Sequence, residues 1–248
     1  MTDKAENSPL SLKQIKLMRL ATYASIALAL TLISLKIWAW LITDSVAILS
    51  SLADSLLDLI ASIITFYAVK VAVSPADAEH RFGHGKSEGV SGLLQGFIIT
   101  ISALYVASEA VIRLLEPKPI SEPEVGFGVM SISLALTVLL VGFQRFVVAR
   151  TGSLAISADA MHYKADLLTN LAVLCAIFFS YRFEWNVLDP LLGLLIAGFI
   201  FLGVRRIVLD AIDVLLDREL PEKDRQRIEA IVLGNPEVLG LHDMRTRS

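Results

Sequence analysis

Two pairs of ionisable residues lie inside apolar stretches of the chain. Asp54 and Asp58 are four residues apart in SVAILSSLADSLLDLIASIITFYAVKV, and His162 and Asp166 repeat that spacing in ADAMHYKADLLTNLAVLCAIFFSY. Residues four apart share one face of a helix, and ionisable groups in a membrane-crossing helix are costly and usually functional. Three carboxylates and one imidazole suit a tetrahedral zinc ion or a similar divalent cation. The pattern therefore predicts a metal site shared by two helices.

Each of these residues, taken singly, also fits a structural role. A buried aspartate can accept a hydrogen bond from a neighbouring hydroxyl, and a lone histidine is more often a core residue than a ligand. The hydroxyls available nearby are those of Ser51, Ser55 and Thr169. The same spacing on two separate stretches favours metal binding over these structural roles.

Four further ionisable residues lie in or near the apolar stretches. Asp159 and Asp44 are nearer the ends, and we interpret them as helix caps or membrane-interface residues. Lys36 and Lys164 could extend towards the membrane surface or pair with an acid. The sequence assigns no role to either lysine.

A second group of metal-binding side chains lies in the polar segment PADAEHRFGHGKSE. Asp77, His80 and His84 are close together there, and His-x3-His is a plausible ligand spacing. The chain has four histidines in all, of which the last, His242, lies in GLHDMRTRS.

The composition indicates that apolar, membrane-type helices hold these residues. The chain has 248 residues, is 55% hydrophobic and carries a net charge of −3, with a mean hydropathy of +0.65. The charge gives no indication of a nucleic-acid partner, and the one cysteine, Cys175, cannot form an internal disulfide. The N-terminal segment MTDKAENSPLSLKQIK lacks the features of a signal peptide. We therefore expect the first apolar stretch to remain as a helix.

Six stretches are long and apolar enough to cross a bilayer, which takes about 20 residues. They cover residues 17–42, 46–73, 89–115, 125–148, 154–181 and 187–215. Basic residues concentrate in the N-terminal tail and in every second connection, whereas the opposite loops hold only Arg113, Lys118 and Arg182. Because positive loops stay in the cytoplasm, both termini are predicted to be cytoplasmic.

These motifs together resemble the cation diffusion facilitator family, and most closely its bacterial branch of zinc and ferrous-iron efflux proteins. The likeness is carried by SVAILSSLADSLLD, FGHGKSE, SADAMHYKAD and LLDRELP, and it extends from the first apolar stretch to the last residue. It implies an all-α membrane domain of six helices at 17–216, after a tail at 1–16. It also implies a homodimer in the bacterial inner membrane that exchanges a divalent metal for protons by alternating access.

The resemblance also implies roles for particular residues. Asp54, Asp58, His162 and Asp166 match the family's intramembrane transport site. Asp77, His80 and His84 match a zinc site in a cytoplasmic loop, and Lys86 and Asp217 match a charge pair that holds two subunits together. His242 matches one ligand of a metal cluster in the family's cytoplasmic α/β module.

The resemblance implies only the beginning of that module at 217–248. These residues leave room for its first helix, at about 221–234, and its first strand, at about 239–246. The other ligands of the cluster would lie outside them, so we expect His242 to be unliganded.

The chemistry of the ligands indicates how metal and protons would be coupled. Metal ligands must be deprotonated, so metal ions and protons compete for one site. The unperturbed pKa of histidine, about 6.5, makes His162 a natural proton carrier. A channel would need weaker, multi-site binding.

A membrane metalloenzyme and a metal sensor are the alternative functions, although the chain has no HExxH motif. Zn2+ is the favoured substrate, but Cd2+, Fe2+ and Co2+ also suit these ligands.

Overall fold

A computed structural model of the chain describes residues 10–43, 46–115, 124–183 and 188–247. Among these residues there are seven helices, of which the first six have 27 to 32 residues each. They are α1 (Leu12–Thr43), α2 (Val46–Ala72), α3 (Ser87–Leu115), α4 (Glu124–Thr151), α5 (Leu154–Phe183), α6 (Leu188–Leu215) and α7 (Glu222–Leu233).

Helix α5 lies at the centre of the bundle. It packs against α2, α3, α4 and α6 and touches α1, whereas α1 packs mainly on α2 and α4. Small residues on α5 such as Ala155, Ala158 and Ala165 are buried, which lets its neighbours approach closely. A helix surrounded by others can carry ionisable groups that face protein instead of lipid. This position suits the polar residues of α5.

Helices α3 and α6 form the most extensive contact of the bundle. Glycines on α3 allow this close contact with α6. A β-carbon added at Gly92 would lie 3.1 Å from the β-carbon of Ala211, and one added at Gly96 would lie 2.5 Å from Cγ2 of Val208. Small residues of this kind let membrane helices approach closely. The outward faces of the bundle are apolar, with exposed side chains such as Phe97, Leu139 and Leu195.

Hydrogen bonds join several helix ends at one end of the bundle, and basic residues lie beside these helix ends. The amide of Gln14, on α1, donates a hydrogen bond to the carbonyl oxygen of Arg150 at the end of α4. The hydroxyl of Ser87, which begins α3, donates to the carbonyl oxygen of Ala68 near the end of α2. Lys86, just before α3, donates to the carbonyl oxygen of Leu215 at the end of α6. Lys70, Lys86 and Arg150, which lie beside these helix ends, are therefore at the same end of the bundle.

The helix bounds differ a little from those expected. The first helix begins at Leu12 instead of residue 17, and the others agree to within a few residues. Five helices of the described chain are long and apolar enough to cross a membrane, namely α1, α2, α3, α4 and α6. The all-helical membrane architecture is confirmed, and the sixth span stays a prediction.

The C-terminal segment corrects one expectation. Helix α7 lies where the first helix of the cytoplasmic module was predicted, but residues 239–246 do not form the expected strand. A strand needs hydrogen-bonding partners in a neighbouring strand, and the described residues contain no strand at all. Leu239 is fully exposed there.

Three ionisable residues considered in the sequence lie outside the described residues: Lys4, Asp44 and Lys118.

Candidate metal centre

Three of the four residues predicted to bind metal inside the bundle meet between α2 and α5. The Nε2 atom of His162 lies 3.1 Å from Oδ1 of Asp58 and 3.7 Å from Oδ2 of Asp166. One potential ligand atom from each of the three lies within 4.8 Å of the others. A nitrogen and two carboxylate oxygens at this separation are compatible with one small divalent cation at about 2.0–2.2 Å from each.

The three side chains are largely shielded from solvent. The side chains of His162, Asp58 and Asp166 are 4%, 14% and 34% exposed. The Oδ2 atom of Asp166 is buried and has no hydrogen-bond partner among the described residues. A buried carboxylate oxygen without such a partner is costly, and a bound cation would remove that cost.

Asp54 is placed differently from the other three. It lies one helical turn before Asp58 on α2, its side chain is exposed, and it is not part of the close group. Its carboxylate does interact electrostatically with Asp58. The structure therefore brings together three of the four expected ligands and leaves Asp54 beside them.

Two of the three hydroxyls named as possible partners of these acids have other partners. The Ser55 hydroxyl accepts a hydrogen bond of 2.6 Å from the Lys36 ammonium. The Thr169 hydroxyl donates to the carbonyl oxygen of Ala165, four residues earlier on α5. Neither of these two bonds involves Asp58 or Asp166.

A buried polar cluster lies one turn from His162. Asp159 is 1% exposed, and its Oδ2 atom accepts hydrogen bonds of 2.7 Å from Ser25 on α1 and 2.7 Å from Gln144 on α4. Asp159 is therefore neither a helix cap nor an interface residue, because α5 begins five residues earlier and three helices enclose it. The interpretation of Asp159 from the sequence was wrong, since its position near the end of an apolar stretch did not reveal its partners.

Tyr163 extends this polar cluster towards α2. Its hydroxyl is 2.9 Å from the Ser62 hydroxyl and donates to the carbonyl oxygen of Ser25 at 3.3 Å. Its ring meets that of His162 edge to face, with centroids 5.9 Å apart. Tyr163 therefore packs against the imidazole of His162.

Glu88 is a partly buried acid that sequence reasoning missed. Its carboxylate accepts hydrogen bonds from the Ser153 hydroxyl and from the backbone N–H of Ala155. An acid at a helix N-terminus interacts favourably with the helix dipole. Glu88, from α3, thus caps the first turn of α5, and only the fold could reveal a cap supplied by another helix.

The loop between α2 and α3 brings its three expected ligands together. The Nδ1 atom of His80 and the Nε2 atom of His84 lie 3.2 and 3.4 Å from the two carboxylate oxygens of Asp77. The backbone N–H groups of His80 and Glu79 donate to Asp77. Chiefly through the bond from His80, they hold the pKa of Asp77 below its usual range. The carboxylate is therefore available to a cation at neutral pH.

Gly83 shapes this loop. Its φ of +84° lies in the left-handed region that favours glycine. The turn lets the rings of His80 and His84 approach to 4.6 Å between centroids.

The last expected residues lie outside these groups. Lys86 and Asp217 form an ion pair of 2.8 Å within this chain, joining the start of α3 to the segment after α6. The hydrogen bond from Lys86 lowers the pKa of Asp217. His242 is exposed and belongs to neither group of potential ligands in the described part of the chain.

Comparison with known proteins bears directly on this arrangement. Residues 22–216 match the model of the cation efflux transmembrane domain, which covers most of the chain and both helices of the intramembrane cluster. The chain belongs to the cation efflux family. The resemblance to cation diffusion facilitators is therefore confirmed, and the family is one of membrane transporters and not a class of enzymes.

Individual members of the cation efflux family are similar to most of the chain. The cation-efflux pump FieF of Salmonella arizonae is 43% identical over 232 residues, which are 94% of this chain and 77% of that protein. The FieF pumps of Salmonella choleraesuis and Salmonella newport are each 42% identical over the same shares.

Proposed function

We propose that the chain is a divalent metal efflux transporter that exchanges metal for protons by alternating access, with Zn2+ as the favoured substrate. The observation that carries the proposal is the close group of Asp58, His162 and Asp166, whose ligand atoms lie within 4.8 Å of one another on two packed helices. Membership of the cation efflux family and the similarity to FieF pumps support it.

Asp54 is the proposed fourth ligand. A tetrahedral ion held by His162, Asp58 and Asp166 has one position left, and Asp54 lies one turn away on the face of α2 that carries Asp58. Rotation of its side chain towards α5 would complete the coordination. One nitrogen and three oxygens suit Zn2+, and Cd2+ and Fe2+ are the next candidates.

Competition between metal and protons explains the exchange. Each ligand must lose its proton to bind metal, so protons that enter from outside displace the ion, and their release inside restores the site. His162 is the natural carrier, because imidazole is the side chain whose unperturbed pKa lies near physiological pH. Membership of the cation efflux family supports transport in preference to sensing, which needs binding alone.

The remaining groups have proposed roles at the cytoplasmic end. Asp77, His80 and His84 form a second Zn2+ site in the loop between α2 and α3, and the ion pair of Lys86 and Asp217 supports a homodimer. We propose that this end of the bundle, where basic residues lie beside the helix ends, faces the cytoplasm of a bacterial cell and that six helices cross its inner membrane.

Metal flux into proteoliposomes tests the function. Vesicles that contain the purified chain and a zinc-sensitive dye should accumulate Zn2+ under an imposed pH gradient. Asp58→Asn and Asp166→Asn should each abolish the flux, because a tetrahedral site has no ligand to spare. Asp210→Asn is the matched control, since Asp210 is an exposed aspartate on α6 outside the site. Normal flux through Asp58→Asn would overturn the assignment.

A binding measurement tests the exchange. In the background His80→Ala/His84→Ala, which removes the loop site, Zn2+ added in weak buffer should release at least one proton for each ion bound. Binding should weaken as the pH falls from about 7 to about 5.5. Zinc binding without proton release or pH dependence would refute antiport at this site.

A further inference from the structure

Lys36 extends from α1 to the part of α2 that carries the acidic residues. Its ammonium donates hydrogen bonds of 2.8 Å to the carbonyl oxygen of Ser51 and 2.6 Å to the hydroxyl of Ser55. Ser55 is fully buried, and the Lys36 side chain is half-buried. The ammonium is therefore tied to α2 instead of extending to the membrane surface.

The helical spacing brings this ammonium close to the metal ligands. Ser55 lies three residues before Asp58 and directly after Asp54, so that the ammonium is bound on the turn between the two acids. The carboxylates of Asp54, Asp58 and Asp166 all interact electrostatically with it. Helix α1 thus supplies a positive charge beside a site to which it gives no ligand.

We infer that Lys36 is a built-in counter-charge of the transport site, which keeps the metal-loaded site near neutrality and limits how tightly the metal is held. The inference rests on the proposed function. Three carboxylates and a divalent ion, with a neutral imidazole, leave one negative charge, and the Lys36 ammonium balances it. An unbalanced charge within the membrane is costly.

The fixed charge also acts on the affinity of the site. A cation close to the carboxylates repels a divalent ion, and the low dielectric of a bundle interior strengthens that repulsion. A site of several acidic ligands without a counter-charge would hold Zn2+ more tightly and release it more slowly. Lys36 therefore favours passage of the ion over retention.

The two lysines of the apolar stretches provide a matched comparison. Lys164, on α5, lies with its ammonium 4.6 Å from the centre of the Phe199 ring. It is two residues from His162 in sequence, yet the charge that acts on it is the like charge of Arg145 and not that of a ligand carboxylate. Lys164→Met thus removes a charge from the same domain without removing one from the site.

Zn2+ affinity and transport kinetics test the inference in the background His80→Ala/His84→Ala. Lys36→Gln keeps a hydrogen-bond donor towards α2 and removes the charge, whereas Lys36→Arg keeps the charge. We expect Lys36→Gln to bind Zn2+ tenfold or more tightly in competition with a zinc-chelating dye. In proteoliposomes it should lower both KM and kcat. Lys36→Arg and Lys164→Met should each stay within threefold of the parent affinity.

The outcomes separate the possible roles of Lys36. If Lys36→Gln has the affinity of the parent, or a weaker one, the ammonium is not a counter-charge and the inference is wrong. A merely structural role would lower thermal stability without raising affinity, and Lys36→Met, which also removes the donor, would show that loss more strongly. Failure of the parent protein itself to bind or transport Zn2+ would instead overturn the proposed function.

Discussion

The buried pair of Gln144 and Asp159 allows a quantitative test of the fold around the site. Gln144 is fully buried on α4, and its side-chain amide donates to the Asp159 carboxylate at 2.7 Å and to the Ser25 hydroxyl at 3.0 Å. Gln144→Leu removes the donor and leaves a buried carboxylate with one fewer partner. Hydrogen bonds between membrane helices average about 0.6 kcal/mol, but bonds to charged groups contribute about 1.5–3 kcal/mol.

We therefore expect Gln144→Leu to lower the free energy of unfolding by about 2 kcal/mol. Equilibrium unfolding in mixed detergent and SDS micelles, followed by circular dichroism, measures this difference. Thr137→Val is the control on the same helix. The Thr137 hydroxyl donates to the carbonyl oxygen of Ser133, four residues earlier, so its loss removes no interhelical bond and should cost about 0.5 kcal/mol or less.

A double variant completes the test. In Gln144→Leu/Asp159→Leu neither partner is left unpaired, so the combined loss should be smaller than the sum of the two single losses by about 1–2 kcal/mol. If Gln144→Leu has the stability of the parent, or if the losses simply add, the buried pair does not stabilise the bundle as argued.

Three further predictions concern the metal, the Lys86–Asp217 ion pair and the helix packing. His162→Asp makes the site all-carboxylate, so Zn2+ flux should fall relative to Mn2+ flux; an unchanged ratio would show that His162 does not contact the ion. Because Lys86 lowers the pKa of Asp217, their ion pair should contribute to stability above the ordinary pKa of 3.8 and be lost as the pH falls below it. Under the proposed role of this pair in a homodimer, the dimer fraction measured by light scattering should be constant from pH 8 to 5, fall below about pH 4 and decrease as salt rises; no response to either would count against that role. Gly96→Val forces a side chain against Val208 and should cost about 1–3 kcal/mol in unfolding measurements, whereas an unchanged stability would contradict the close packing of α3 and α6.

The sequence alone was sufficient for most of the helical bundle. Apolar stretches of membrane-crossing length are a strong local signal. The predicted stretches agree with α2 to α6 to within a few residues, whereas α1 begins at Leu12, before the predicted residue 17. The strand expected at 239–246 did not form, because a strand depends on partners that local sequence does not contain.

The candidate site could be predicted in part. The i,i+4 spacing placed His162 and Asp166 on one face, and the structure brings both to Asp58. Spacing could not reveal contacts between helices: Asp54 has the same spacing as the others yet lies outside the close group. The bond from Lys36 to Ser55 also joins two helices and could be found only in the fold.

X-ray absorption at the zinc edge tests the central claim most directly, because it reports the ligands of the bound ion. His162 becomes the sole histidine of the chain when the other three are replaced, in tag-free protein carrying His80→Ala, His84→Ala and His242→Ala. We predict that this variant binds Zn2+ with one imidazole nitrogen and carboxylate oxygens at about 2.0–2.2 Å, and that adding His162→Ala removes the imidazole signal. A spectrum without imidazole, or one that His162→Ala leaves unchanged at equal zinc content, would contradict a metal site between α2 and α5.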